Sequence, residues 1–469
     1  MNISIKKPIL ISGVGLSFLI FIGQRLSMSF PHLGEYGFWG LILVSGFFWL
    51  FNPRANKDDS VTVFEPITPE IFDQALEQVK RLITIFAQES ASSDTIFTQR
   101  LQTIVKGDRT IAHVAMVSNH KLNSQYLKNI LEQKIPKNTC QFTNFTASSL
   151  DYHTFETLLV DYDLVLLMVQ GDLTESEKDI IQKLISNQQK TILVFNQSDY
   201  NLPEEQEIIK AQLKNRIKGI INLEELIIIS TKNEVIKVKK YQDKENYQEW
   251  QENINPQCEN LLNYLSQTLT ENLSDLFLAT NYRQLLKLKK DIHQQINIIR
   301  KQKALPIVEK YQWIAASATF ANPVASLDLL AVGAINTQMI IDLGNIYQQK
   351  ITVNQAKQIS LELAKLIMKL GIVELSSRAI ASILKTNTIT YIAGGVMQGI
   401  SAAYLTRICS LSLIEYLEKQ DISTAKNHST LNIDFIKKSI EKIFKDNQKS
   451  EFLNNFIVQT TQKLGWQKV

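Results

Sequence analysis

The chain has 469 residues, 45% hydrophobic and 20% charged, enough for two or three domains with ordinary cores. A formal net charge of +4 spread over that length excludes the concentrated basic surface of a nucleic-acid binder, so no nucleic-acid partner is expected. Three widely separated cysteines, Cys140, Cys258 and Cys409, and six histidines fit no metal-ligand spacing; a reducing compartment and no metal are expected.

Two apolar segments open the chain, Ile9 to Gly23 and Tyr36 to Phe51. Each is about 15 residues, short of the ~20 usually needed to span a bilayer. Polar flanks such as Gln24 and Ser27 extend the first, and thin bilayers accept short spans. Lys6 and Lys7 precede the first segment, Arg54 and Lys57 follow the second, and the loop between carries only Arg25 and Glu35. That asymmetry puts both ends of a transmembrane hairpin (residues 1–60) on the cytosolic or stromal side. Phe47, Phe48, Trp49 and Phe51 sit where an aromatic belt would. No small-residue cleavage site precedes the second run, which argues against a cleaved leader.

Residues 61–105 read as connector helices. Ile71, Phe72, Ala75, Leu76, Val79, Leu82, Ile83 and Phe86 share one helical face, and Thr68-Pro69-Glu70 supplies an N-cap, a first-turn proline and an early acid. Residues 106–247 then alternate. Strands are predicted at 111–118, 139–146, 164–170, 191–196 and 226–230, with helical patterns at 122–133, 174–187 and 203–217. Near-continuous apolar strands separated by amphipathic helices imply a parallel sheet covered on both faces. Asp172 and Thr174 are placed to cap the helix that begins near Glu175.

The most informative stretch is 191–199, Thr-Ile-Leu-Val-Phe-Asn-Gln-Ser-Asp. An apolar strand opens onto Asn196-Gln197-Ser198-Asp199, the shape of the guanine-reading N-K-x-D motif of GTPases with Gln197 in place of the lysine. In that motif the aspartate accepts two hydrogen bonds from the guanine edge, and the asparagine ties the loop to the phosphate-binding loop. Asn196, Asp199, Ser230 and Thr231 all fall at the carboxyl ends of strands, where such sheets bind ligands. They form the candidate nucleotide site, GTP or GDP being the cofactor that could occupy it. As a bare strand-to-helix turn, Asn and Asp would need no ligand.

The phosphate chemistry is missing. A P-loop needs G-x-x-x-x-G-K-[ST], so that backbone N–H groups and a lysine surround the phosphates. Here Ser118 and Asn123 stand at the glycine positions, Ser124 at the lysine and Gln125 at the magnesium-binding hydroxyl. The D-x-x-G signature is reduced to Asp151-Tyr152-His153-Thr154, with no glycine. No catalytic residue and no bound cofactor are therefore expected.

Residues 248–303 read as one or two polar helices forming a connector. From Ala304 the composition turns apolar: as far as Gly344 only Glu309, Lys310, Asp328 and Asp342 are charged, and Asn322-Pro323 divides the stretch into a helical hairpin. Residues 354–384 form an amphipathic helix pair, with Lys357, Lys365, Lys369, Arg378 and Lys385 marking its wet side. Thr388 to Ile414 carries only Arg407, and Gly395, Gly399 and Ala403 recur every four positions, a spacing that serves close helix packing in a membrane or in a soluble bundle. The tail, 421–469, reads as a basic amphipathic helix pair from about Asn432.

Two blocks carry a resemblance. Residues 162–174, Tyr-Asp-Leu-Val-Leu-Leu-Met-Val-Gln-Gly-Asp-Leu-Thr, with the loop from Asn196 to Asp199, resemble the GTPase half of Era-type proteins fused to a YcjF-like domain. Residues 318–330, Ala-Thr-Phe-Ala-Asn-Pro-Val-Ala-Ser-Leu-Asp-Leu-Leu, with Gln338-Met339 and Ala393-Gly-Gly-Val-Met-Gln398, resemble the YcjF-like domain itself. That domain is a helical, membrane-associated module of unknown function, assigned here to 304–420. Fusions with an N-terminal hairpin are similar to proteins of cyanobacteria and plastids, implying an inner, thylakoid or plastid membrane. The family implies GTP binding; Ser118, Asn123, Ser124, Gln125, Thr154 and Gln197 depart from it.

The expected fold is α/β plus all-α: a degenerate P-loop GTPase-like parallel sheet with helices on both faces, then a helical membrane-associated bundle, with the N-terminal transmembrane hairpin. The expected function is a membrane-anchored pseudo-GTPase that acts as a scaffold or regulatory interaction protein, with a membrane and an unidentified protein as partners. The alternatives are an active GTP-binding protein in membrane assembly, and a transport component in which Asp328 and Asp342 would be intramembrane carboxylates.

Overall fold

The structure is a computed structural model. It describes residues 66–463 apart from 91–94, 108, 120, 148–150, 170, 197–202, 232–233, 242–246, 255, 322–324, 387–393, 423–432 and 448–449. All lie in the compact unit Val63–Val469. The predicted hairpin of residues 1–60 lies outside the described residues.

The first helix, α1 (Pro69–Glu89), begins where its capping signal predicts: Thr68 Oγ1 accepts from Ile71 N at 3.5 Å, with a proline in the first turn. It buries Ala75, Val79, Leu82, Ile83 and Phe86, the face expected from the periodicity. A second helix, α2 (Thr95–Lys106), buries Leu101 and Ile104.

Five strands follow: β1 (Ala112–Ser118), β2 (Cys140–Thr146), β3 (Leu164–Val169), β4 (Thr191–Asn196) and β5 (Leu226–Ile229). They pair in parallel in the order β2-β1-β3-β4-β5. The intervening helices are α3 (Lys121–Lys134), α4 (Tyr152–Asp161), α5 (Glu175–Ser186) and α6 (Pro203–Ile217). Successive side chains of a strand point to opposite faces, and here both faces are covered. Val114, Met116, Leu166 and Val194 pack on one side with Leu127 and Leu131 of α3. Ala115, Val117, Leu167 and Phe195 pack on the other with Leu158 of α4, Ile181 of α5 and Leu213 of α6. This is one of the two common doubly wound orders, and its chain reversal falls between β1 and β3.

Residues 248–254 depart from the predicted polar helix. β6 (Glu234–Tyr241) and β7 (Tyr247–Ile254) form an antiparallel hairpin, with Glu234 opposite Ile254 and Tyr241 opposite Tyr247. The β-branched Val235, Ile236 and Val238 and the aromatic Tyr241, Tyr247 and Trp250 suit a pleated surface. That preference outweighs the polarity that suggested helix. The remainder of the connector is helical: α7 (Glu259–Glu271), then α8 (Leu273–Ala321), which passes the 303/304 position and Pro306 without a break.

The rest is a helical bundle of α9 (Ala325–Ile346), α10 (Val353–Lys369), α11 (Ile372–Thr386), α12 (Gly394–Glu418), α13 (Ile433–Asn447) and α14 (Ser450–Lys463). The break expected at Asn322-Pro323 lies outside the described residues. Three stretches of α8 serve three cores. Leu285, Leu288, Ile292 and Ile296 pack on α1 and α2. Ala304, Val308, Tyr311 and Ala316 join the bundle core with α9, α12 and α14. Its first turns reach the sheet through Leu276. At Arg300, fully buried, the guanidinium binds both oxygens of Glu89 at the end of α1 (Nε 2.9 and 3.2 Å, Nη2 2.6 Å) and donates to Tyr347 O at 3.2 Å.

Among the described residues no helix is long and apolar enough to cross a membrane. The apolar stretch around Ala403 is α12, whose Gly399 and Ala403 are buried inside the bundle. Ser410 and Ser412 donate back to the carbonyls of Thr406 (2.6 Å) and Ile408 (2.8 Å). Asp342 accepts from Tyr311 Oη at 2.6 Å and Gln338 Nε2 at 2.9 Å, so its carboxylate is held by neighbours in the fold. The side chain of Asp328 lies outside the described residues.

Candidate functional site

The carboxyl ends of β1 and β3 frame the crevice where a sheet of this order binds its ligand. β1 ends at Ser118 and α3 is helical from Lys121, so no more than two residues separate strand from helix. The eight positions of the phosphate-binding signature are thus divided between a strand end, that short connection and a helix. Asn123 is helical and supplies no left-handed turn for a cradle. Ser124 is buried. Gln125 donates to Asn129 Oδ1 (3.0 Å) and accepts from Asn144 of β2 (3.1 Å), which engages the side chain at the magnesium position.

A buried carboxylate binds the residue that follows β1. Glu177, in the first turn of α5, accepts Asn119 Nδ2 on Oε1 at 3.3 Å and Thr174 N and Oγ1 on Oε2 at 2.9 and 2.7 Å. The Thr174 hydroxyl in turn accepts from Glu177 N at 3.3 Å, completing a capping box. Thr174 caps as predicted. Asp172 does not: its Oδ2 pairs with Arg216 Nη2 of α6 at 2.6 Å, tying the loop after β3 to that helix.

Three of the four predicted site residues converge. Asn196, 1% exposed at the end of β4, donates to Thr231 Oγ1 at 3.0 Å and accepts from Thr231 N at 3.3 Å. Both ends of its amide therefore bind the loop after β5. Ser230 exchanges backbone hydrogen bonds with Gln257 (3.0 and 2.9 Å), and its carbonyl accepts from Cys258 Sγ at 3.5 Å. Ser230 and Thr231 are both buried. Asp199 and Gln197 lie outside the described residues. Asp151, read in the sequence as part of a D-x-x-G signature, caps α4 by accepting from Thr154 N at 2.8 Å.

The strongest polar constellation lies at the opposite, amino edge of the sheet. Asp163, fully buried just before β3, accepts from His113 N (2.8 Å) and Thr280 Oγ1 (2.7 Å) and pairs with Arg109 Nη2 (3.3 Å). Arg283, one turn along α8 from Thr280, donates to the carbonyls of Leu159 (2.6 Å), Gln188 (2.7 Å) and Tyr162 (3.0 Å), and to Thr280 Oγ1 (2.8 Å). Burial pulls the Arg283 guanidinium down to about 9, with Asp163 opposing and Arg109 assisting; it remains charged at neutral pH. Sequence reading missed this cluster because its members are spread over more than 170 residues and fit no spacing rule. The one local signal was an acid, Asp163, directly before a wholly apolar strand, where a charge needs a partner.

The segment that begins at this arginine has relatives. Residues 283–449 match the model of a domain of unknown function, DUF697. The match covers α8 from Arg283 through α13, the helical part for which the sequence suggested a separate module. No curated protein matches the chain. The DUF697 segment is therefore fastened by its first residue to the underside of the parallel sheet.

Proposed function

We propose that this chain is a membrane-anchored pseudo-GTPase: a nucleotide-binding-like sheet that has given up its ligand and serves as a rigid scaffold for the DUF697 helices. The observation that carries the reading is the ligand edge, where no more than two residues separate β1 from α3 and the Asn119 side chain binds the buried Glu177. The buried contacts of Asp163, Thr280 and Arg283 support the scaffold half of the proposal, because they make the two parts one mechanical body. Membrane anchoring rests on the two apolar N-terminal segments and their flanking cations. An unidentified protein partner completes the reading.

Hydrolysis would need magnesium and a positioned water beside the phosphates. Asp151 and Gln125, at the positions that would serve, are engaged within the fold. The test is thermal unfolding of the purified full chain with and without millimolar GTP or GDP and magnesium. A ligand at about 100 times its dissociation constant stabilises by ~2.7 kcal/mol. No shift is expected. A clear shift that disappears with Asp199→Asn would establish the active GTP-binding alternative.

A further inference from the structure

The outward face of α10 and the start of α11 does not have the composition of a solvated helix surface. Leu361 is 60% exposed and Met368, two turns further on, is 62% exposed. With a repeat of 3.6 residues these two lie on one line along α10, and Lys357 and Lys365 flank that line. The buried side of the same helix is Ala356, Ile359, Leu363 and Ile367, so the bundle already has its apolar face and Leu361 and Met368 are surplus to it. Gly371, in the left-handed region at φ 65°, then turns the chain into α11, where Leu375 is 45% exposed. Lys357, Lys365, Lys369 and Arg378 are exposed around these apolar tips, against the acids Glu362 and Glu374.

Long apolar side chains surrounded by ammonium groups match an anionic bilayer surface. The tips enter the boundary between headgroups and acyl chains while the cations stay at the phosphate level. A protein partner fits less well, because interface cores are depleted in lysine. Lysines near an anionic leaflet each contribute about 1 kcal/mol, or about fivefold in partitioning. We infer that the α10–α11 face of the DUF697 segment docks on anionic lipid. The inference rests on the membrane reading proposed above and adds to it the docking surface and the lipid charge.

The three native cysteines are buried, so an introduced one can be labelled selectively. Full-length Leu361→Cys carrying an environment-sensitive fluorophore is reconstituted into vesicles of phosphatidylcholine alone, or of phosphatidylcholine with phosphatidylglycerol. Ile208→Cys, exposed on α6, serves as the control site. The expected result is a blue shift and quenching by spin-labelled lipid at position 361, in the anionic vesicles only, with position 208 unchanged. Replacing Lys357, Lys365 and Lys369 together by Gln should abolish the dependence on anionic lipid, with thermal unfolding altered only by loss of the exposed Lys365–Glu362 pair. A wet probe at 361 on protein that still floats with the vesicles would overturn the docking face and leave the anchored scaffold intact. Protein that does not float with vesicles at all would overturn the membrane reading itself. A blue shift that grows with protein concentration in the absence of lipid would assign the face to a second copy and overturn the lipid assignment.

Discussion

Replacing Arg283 with Ala removes four hydrogen bonds at the point where α8 meets the sheet. The carbonyls of Leu159, Tyr162 and Gln188 lose a charged donor, and Asp163 is left with Arg109 as its cationic neighbour. Hydrogen bonds to charged groups contribute about 1.5–3 kcal/mol each. Simple addition overshoots, since water can reach some of the vacated carbonyls; breaking a buried charged cluster by removing one member typically costs about 3–5 kcal/mol. The expected loss is in that range, and about half as large for Arg283→Lys, whose point charge can serve fewer of the planar fork's acceptors. Urea unfolding of the full chain reads the total. Hydrogen exchange resolved by peptide reads its location: protection should fall in α4, β3 and the turn at Gln188, and hold in α12. A loss under about 1 kcal/mol with unchanged exchange in β3 would refute the idea that this cluster joins the two parts energetically.

Glu177→Ala should cost about 1 kcal/mol through loss of the capping box on α5, and it should not create nucleotide binding, because the strand-to-helix connection remains too short; a thermal melt with and without GTP checks both. Glu89→Ala leaves the fully buried Arg300 with only Tyr347 O among the acceptors described above, and a destabilisation of about 3–5 kcal/mol is expected from equilibrium unfolding. Burial raises the thiols of Cys140 and Cys409 to about 12 and that of Cys258 to about 11. At pH 8 a disulfide reagent should therefore label the native protein far more slowly than the unfolded chain. The same shift has a sign for stability: as pH rises above 9, the unfolded chain loses thiol protons that the folded one keeps, so stability falls from pH 9 upward. Denaturant midpoints across that range, compared with those of a Cys140→Ala variant, measure the contribution.

Much of the architecture was legible because it is written locally. The strands β1, β3 and β4 are short apolar runs between helices of clear amphipathic period, and that pattern admits little besides a doubly covered parallel sheet. The caps at Thr68 and Thr174 were readable for the same reason, since a cap is a relation between residues three apart. The hairpin of residues 234–254 was not legible: its strands are mostly polar, and polarity without strict alternation reads equally well as a solvated helix. Nor was the continuity of α8 across residue 303, where a shift in composition suggested a boundary although the backbone has none.

At the candidate site the sequence alone determined the losses. Missing glycines and a missing lysine are facts of composition at fixed positions, and no fold can restore a cation or a flexible backbone that the chain lacks. Only the tertiary structure decided what the groups present there do. Asn196 turns to Thr231, Glu177 closes over Asn119, and Asp163 draws in Thr280 from 117 residues away along the chain. A buried polar group must find a partner wherever the fold supplies one, and which partner lies within reach is a property of packing that no local pattern records.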